Sequence, residues 1–242
     1  VTGAGRGIGR ALALGLAQEG ADLICLARTA PEVEATAALA REMGRRAVAV
    51  TADITQKAQV DAAVAAGVES LGRIDILVNN AGMNIRTPAL DLPEQDWDKV
   101  VDTNLKGPFL VAQAVGQHMC RAGYGRIVNI ASVGGGVALR TGVAYGSSKA
   151  GLIHMTRILA LEWAKYGVTV NSIGPWYFKT SLTEKLLANE QYLGEILART
   201  PLQRVGELEE LVGPVVFLAS GASSYVTGQV LYVDGGMTIY GF

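Results

Sequence analysis

Tyr145 and Lys149 stand four apart in the run Tyr145-Gly146-Ser147-Ser148-Lys149-Ala150, which reads as the start of a helix. Side chains at i and i+4 share a helical face, so the phenol and the ammonium can meet. A free phenol, with a pKa of about 10, is a poor base near neutrality. A fixed positive charge beside it favours the phenolate. Such a pair can make a proton donor and acceptor of a side chain that is otherwise inert. Taken alone, the spacing fits a solvated helix turn better than a catalytic pair, so the surrounding elements must decide.

Those elements alternate from end to end. Apolar runs at Leu23 to Ala27, Ala47 to Ala52, Ile74 to Asn79, Arg126 to Ile130, Val168 to Ile173 and Val230 to Val233 read as strands. Helical patterns lie between them, at Arg10 to Gln18, Pro31 to Met43, Lys57 to Leu71, Glu94 to Met119, Ala144 to Tyr166, Thr180 to Ala198 and Glu207 to Ala219. Apolar strands alternating with helices predict a mostly parallel sheet covered on both faces. The stretch from Gly174 to Lys179 has no regular pattern and is the expected place of a mobile substrate loop. Val1-Thr2 leads straight into a glycine loop that a strand should precede, so the chain reads as starting inside its first strand.

Composition narrows the class. Half of the 242 residues are hydrophobic, which suits one large α/β unit. With 21 basic against 22 acidic residues, no basic stripe suggests nucleic acid. No run of about eighteen apolar residues could span a membrane. Cys25 and Cys120 match no metal or redox spacing, and no metal is expected. Two unpaired cysteines suit a reducing cytoplasm.

A cofactor signal precedes the first helix. Gly3, Gly7 and Gly9, with Gly5, Arg6 and Ile8 between them, give a variant of the dinucleotide-binding glycine fingerprint. Glycines allow close backbone approach, and the helix N-terminus offers unpaired N–H groups to a pyrophosphate. An acidic residue at the end of the second strand would bind the ribose of NAD. That end carries Ala27, Arg28 and Thr29 instead, and with Arg6 it offers two guanidinium groups suited to the 2′-phosphate of NADP. Asn79-Asn80-Ala81-Gly82 closes one strand and would lie along the adenosine, and Asp53, with Ile54 after it, follows another strand near the adenine.

Ser132 at a strand end and Asn104 in a long helix complete a pattern with Tyr145, Lys149, the glycine loop and Asn79-Asn80-Ala81-Gly82. The whole chain resembles the short-chain dehydrogenase/reductase family. The resemblance extends through Asp53, Val170-Asn171, Pro175 to Thr180 and Val233-Asp234-Gly235-Gly236. It implies a single-domain Rossmann fold over residues 1–242, with a doubly wound, parallel, seven-stranded sheet in the order 3-2-1-4-5-6-7. It implies an NAD(P)-dependent enzyme acting on CH–OH groups. Tyr145 would be the general acid and base, and Lys149 would lower its pKa and hold the nicotinamide ribose. Ser132 would hydrogen-bond the substrate oxygen, and Asn104 would bind a water linking Lys149 to solvent. Pro175, the backbone of Phe178 and Thr180 would lie near the carboxamide. Family members usually form homotetramers through the long helices, and the apolar ending Met237 to Phe242 suits a subunit contact.

Within the family the chain looks like gluconate 5-dehydrogenases, which implies a sugar acid or polyol as substrate. Arg86 falls where those enzymes carry an arginine, and such a residue can bind a carboxylate through two parallel bonds. Arg140 is a second candidate. Trp176 departs from the usual Pro-Gly and is expected to narrow the pocket or give it an aromatic wall. A 3-oxoacyl-[acyl-carrier-protein] reductase is the alternative enzyme, although Tyr166 stands where many of those place an arginine. A non-catalytic dinucleotide-binding sensor or scaffold is the alternative of another class.

Overall fold

The computed structural model describes residues 1–140, 142–180 and 183–241. Helix α1 (Gly7–Gln18) is followed by β1 (Leu23–Ala27), α2 (Ala30–Glu42), β2 (Ala47–Thr51), α3 (Lys57–Leu71) and β3 (Ile76–Asn79). The second half runs α4 (Glu94–Val101), α5 (Gly107–Ala122), β4 (Gly125–Ile130), α6 (Val143–Trp163), β5 (Val168–Pro175), α7 (Glu184–Leu187), α8 (Glu190–Ala198), α9 (Val212–Ala219) and β6 (Val230–Val233). Every strand pairing is parallel: β1 with β2, and β3, β4, β5 and β6 in that spatial order.

The two strand groups meet through the first residues. Thr2 bridges to Leu26 on one side, and its N–H donates to the Val78 carbonyl on the other at 3.0 Å. The spatial order therefore follows the expected one, with a correction: six strands form among the described residues. The position expected for a seventh is held by this single bridge.

Side chains alternate along each strand, so neighbouring residues enter opposite cores. Val78, Val128 and Ile173 pack with α1, α2 and α9, whereas Leu77, Ile127 and Val170 pack with α3, α5 and α6. This is the doubly wound Rossmann-like α/β arrangement. A buried polar line ties α6 to the sheet: Asn79 Nδ2 donates to Asn129 Oδ1 at 3.0 Å, Asn129 Nδ2 donates to Thr156 Oγ1 at 2.9 Å, and the Thr156 and Ser172 hydroxyls lie 2.7 Å apart.

Three elements differ from expectation. The helix expected from Glu94 to Met119 is interrupted by a π-helical turn at Asp102–Lys106. Such turns insert one residue and often mark functional positions. The helix expected from Thr180 to Ala198 divides into α7 and α8, because the Asn189 side chain accepts the Tyr192 N–H and starts a new helix. Ser181 and Leu182, inside that expected helix, and Phe242 lie outside the described residues. Finally, the stretch Gly174 to Lys179 is held rather than free. Gly174 and Pro175 belong to β5, Trp176 N–H donates to Val233 O, and Phe178 bridges to Gly206. Among the described residues no helix is long and apolar enough to cross a membrane.

Candidate active site

Strand β4 and helix α6 bring Ser132, Tyr145 and Lys149 together. Ser132 follows β4 in extended backbone, is buried, and its hydroxyl oxygen accepts the Gly134 N–H at 3.1 Å. That bond leaves the Ser132 O–H to donate toward the Tyr145 side of the site. Tyr145 lies in the first turn of α6, half-buried, with Lys149 one turn later and fully packed away. The Lys149 Nζ sits 5.8 Å from the centre of the Tyr145 ring and donates to the Ile130 carbonyl at 2.8 Å.

Burial dominates the electrostatics of both groups. Loss of solvent raises the Tyr145 phenol above 10, opposed by the Ser132 hydrogen bond and the Arg86 charge. Loss of solvent also lowers the Lys149 ammonium from 10.5 to about 8. In the protein alone, then, the pressure toward a phenolate comes from Ser132 and Arg86 rather than from Lys149. The Arg86 contribution is invisible in the local motif.

Asn104, in the π-helical turn, is buried among this group. Its Oδ1 accepts the Met83 N–H and its Nδ2 donates to the Met83 carbonyl, both at 2.8 Å, while Nδ2 also reaches Ser148 Oγ at 3.2 Å. A methyl placed on Gly82 would meet Asn104 Oδ1 at 3.2 Å and Lys149 Nζ at 3.5 Å. Asn104, Gly82 and Lys149 therefore converge at one point.

The glycine loop has the shape a pyrophosphate needs. A Cβ on Gly9 would lie 2.1 Å from the Gly3 carbonyl, so only glycine lets α1 start there. The α1 N-terminus has no side-chain cap and no acidic residue in its first turn, so its orphan N–H groups suit an anion. Gly5 and Ile8 lie in this segment, and the Thr180 side chain would lie 3.9 Å from a Cβ on Gly7. Asn80 and Ala81 are tied to the loop, their N–H groups donating to Thr2 Oγ1 at 3.0 Å. Arg28 and Thr29 are exposed past β1, and Arg6 is exposed with Glu32 3.8 Å away. Asp53 uses one carboxylate oxygen on Thr55, beside the buried Ile54. Pro175 ends β5, and the Phe178 carbonyl accepts the Thr183 hydroxyl at 2.6 Å. These groups line the carboxyl ends of the strands, where open α/β sheets bind ligands. Lys149 retains two unused N–H donors there. The residues present thus fit a dinucleotide.

Beside the Ser132, Tyr145 and Lys149 group opens a cleft of about 710 Å³, lined by residues 86–89, 134–140, Gly142 and the first turns of α6. Gly142 stands at φ +100, where a Cβ would also lie only 3.0 Å from the Ile85 carbonyl, so the position favours glycine. Arg86 lines the cleft and donates to the hydroxyls of Tyr192 and Tyr177 at 3.1 and 3.4 Å. Two expected substrate residues are placed otherwise. Arg140 lines the same cleft but pairs with Glu195 of α8. Trp176 turns away, its indole N–H donating to Thr200 Oγ1 at 3.0 Å, so it does not wall the cleft. Tyr177 and Tyr192, likewise outside the cleft lining, hold the Arg86 guanidinium that opens onto it. Tyr192 carries no sequence signal for this role, since it lies 106 positions from its partner.

Comparisons with known proteins find relatives that match nearly the whole chain. The profile of the family described as enoyl-(acyl carrier protein) reductase matches residues 3–238. The chain is 43% identical to the gluconate 5-dehydrogenase of Gluconobacter oxydans, covering 99% of this chain and 93% of that protein. It is 40% identical to the 5-keto-D-gluconate 5-reductase of Escherichia coli, covering 99% and 94%. The crystal structure of a gluconate 5-dehydrogenase from Burkholderia cenocepacia, in complex with NADP and tartrate, superposes with a TM-score of 0.95 at 40% identity, covering 99% of this chain and 94% of that one. Together the fold, the Ser132, Tyr145 and Lys149 group and these full-length relatives show that the chain belongs to the short-chain dehydrogenase/reductase family.

Proposed function

We propose that this protein is an NADP(H)-linked oxidoreductase interconverting a secondary alcohol and a ketone on a sugar acid, with gluconate and its 5-keto form as the pair. The observation that carries this reading is the Arg86 guanidinium opening onto the cleft beside Tyr145, in a chain so similar to gluconate 5-dehydrogenases.

The bound dinucleotide supplies the hydride chemistry. The protein supplies geometry and proton traffic. Ser132 donates its O–H to the reacting oxygen and steadies the charge that develops there. Tyr145 gives a proton to that oxygen during reduction and takes one during oxidation. Lys149 directs its two spare N–H donors to the nicotinamide ribose, and Asn104 anchors the Met83 backbone that borders it. The α1 N-terminus takes the pyrophosphate, Arg6 and Arg28 take the 2′-phosphate, and Asp53 and Ile54 border the adenine. Arg86 takes the substrate carboxylate.

Mixing the protein with NADP⁺ and gluconate is expected to raise NADPH absorbance. Silence across a panel of sugar acids, polyols and acyl ketones would defeat the reading. Reduction of a 3-oxoacyl group on an acyl carrier protein is the second reading; the description of the matching family shares the carrier protein with it but names a different acyl group. The same panel separates the two.

The working form proposed is a cytoplasmic homotetramer. Phe109 on α5 with Ile158 and Leu161 on α6 leave apolar surface exposed on the long helices, and the two cysteines are free. Light scattering giving the mass of a monomer would contradict the tetramer.

A further inference from the structure

We propose that Tyr177 and Tyr192 are positioning residues for substrate specificity: their paired hydroxyls hold the Arg86 guanidinium toward the carboxylate of the substrate. This rests on the sugar-acid reading above and deepens it.

Three side chains from distant segments converge here. Arg86 comes from the segment after β3, Tyr177 from the segment after β5, and Tyr192 from α8. The guanidinium donates once to each phenol, and the two phenol oxygens lie 2.7 Å apart. Counting donors shows what is left. Arg86 has five N–H groups and uses two, so three remain for a carboxylate. The two phenols own two O–H groups and share one between them, so one remains unshared beside the guanidinium. A guanidinium edge next to a free phenol O–H matches a carboxylate next to a hydroxyl, the end group of a sugar acid.

The cluster is braced from behind. Tyr177 is buried, and its ring meets the Trp176 indole edge-on with centroids 4.5 Å apart. Trp176 is in turn fixed by its bond to Thr200. The unusual indole thus serves as a buttress for Tyr177. Burial and the Tyr192 hydrogen bond push the Tyr177 phenol up to about 12, so it remains a neutral donor across the working range.

Charge pairing selects Arg86 over Arg140. Glu195 lies three residues after Tyr192, on the same face of α8, and neutralises Arg140. Arg86 meets neutral phenols, so its charge is available to an anion.

Steady-state kinetics of the full chain with NADP⁺ tests the proposal. Tyr177→Phe keeps the ring and removes the hydroxyl. It is expected to raise KM for gluconate by about tenfold, with a much smaller change in kcat. KM for the neutral polyol glucitol and the affinity for NADP⁺ should not follow. Tyr192→Phe is expected to act in the same direction. Adding Tyr177→Phe to Arg86→Gln should have no further effect, because the hydroxyl acts through the guanidinium. Equal losses on gluconate and glucitol would mean that Tyr177 only packs, and an additive double variant would uncouple it from Arg86. Either result overturns the proposal. Normal gluconate turnover with both Phe variants unchanged defeats this inference alone, whereas a wild-type protein inert toward every sugar acid defeats the functional reading as well.

Discussion

Asn104 clasps the backbone of Met83 on both sides of its Cα, its Oδ1 accepting the N–H and its Nδ2 donating to the carbonyl, each at 2.8 Å. The π-helical turn puts this amide inside the protein, and the contact fixes the segment that follows β3, where Gly82 and Arg86 lie. One side chain thereby couples the cofactor crevice to the cleft.

Asn104→Leu removes both bonds and leaves the Met83 groups without partners. Two lost bonds with partly unsatisfied ends should destabilise the protein by about 2–4 kcal/mol, measurable by urea denaturation. Turnover should fall at the same time, because the segment carrying Arg86 loses its anchor. Asn104→Asp retains the acceptor toward the Met83 N–H but loses the donor toward its carbonyl, and it should destabilise about as much. A fully stable Asn104→Leu variant would show that the clasp is incidental.

Tyr145→Phe keeps the ring and removes the proton carrier placed beside Ser132. Turnover is expected to fall at least about a hundredfold, the lower end for loss of a general acid–base. Binding of NADPH, followed by its fluorescence, should remain near the wild-type level. A variant retaining normal turnover would mean that another group moves the proton.

Arg28 is exposed past the end of β1, with no ion-pair partner among the described residues. A charged bond to phosphate is worth about 1.5–3 kcal/mol, so Arg28→Asp should move the NADPH-to-NADH preference by about tenfold to a hundredfold toward NADH. Equilibrium titration with both cofactors checks this. Arg6 would retain part of the preference, although it shares its charge with Glu32 3.8 Å away.

Lys149 makes stability depend on pH in a defined direction. Its ammonium ionises at about 8 in the folded protein against 10.5 when unperturbed. Between those values the unfolded chain binds more protons than the native one, so stability rises with pH. The burial penalty is fully present below pH 8 and lifts above it. From pH about 7.5 to about 9.5 the dinucleotide-free protein should gain about 2 kcal/mol from this group. Lys149→Met should lose that slope. Comparing the two proteins isolates the lysine from Cys25, whose raised thiol acts in the opposite sense above its free value. Parallel denaturation curves at the two pH values in both proteins would rule the effect out.

Several features were legible before any coordinates. The alternation of strands and helices follows from local hydrophobic periodicity, which each segment carries by itself. The glycine loop and the spacing of Tyr145 to Lys149 are likewise local, because a helix turn places i and i+4 together whatever surrounds it. Helix α3 runs over Lys57–Leu71, as its pattern predicts.

Side-chain direction across the loops was not legible. Trp176 reads as a wall of the cleft and is turned instead toward Thr200, 24 positions later. Arg140 reads as a free cation and is paired with Glu195, 55 positions later. Tyr192 carries no motif, yet it meets Arg86 because α8 packs beside two residues that line the cleft, Arg86 and Arg140. The division between α7 and α8 depends on whether the Asn189 side chain caps a new helix, and the π-helical turn at Asn104 leaves the apolar pattern of its helix intact. Periodicity within one element sets which face of it is buried. The partner of a loop side chain is set by segments a hundred residues apart arriving at the same place, and only the packed tertiary structure decides that.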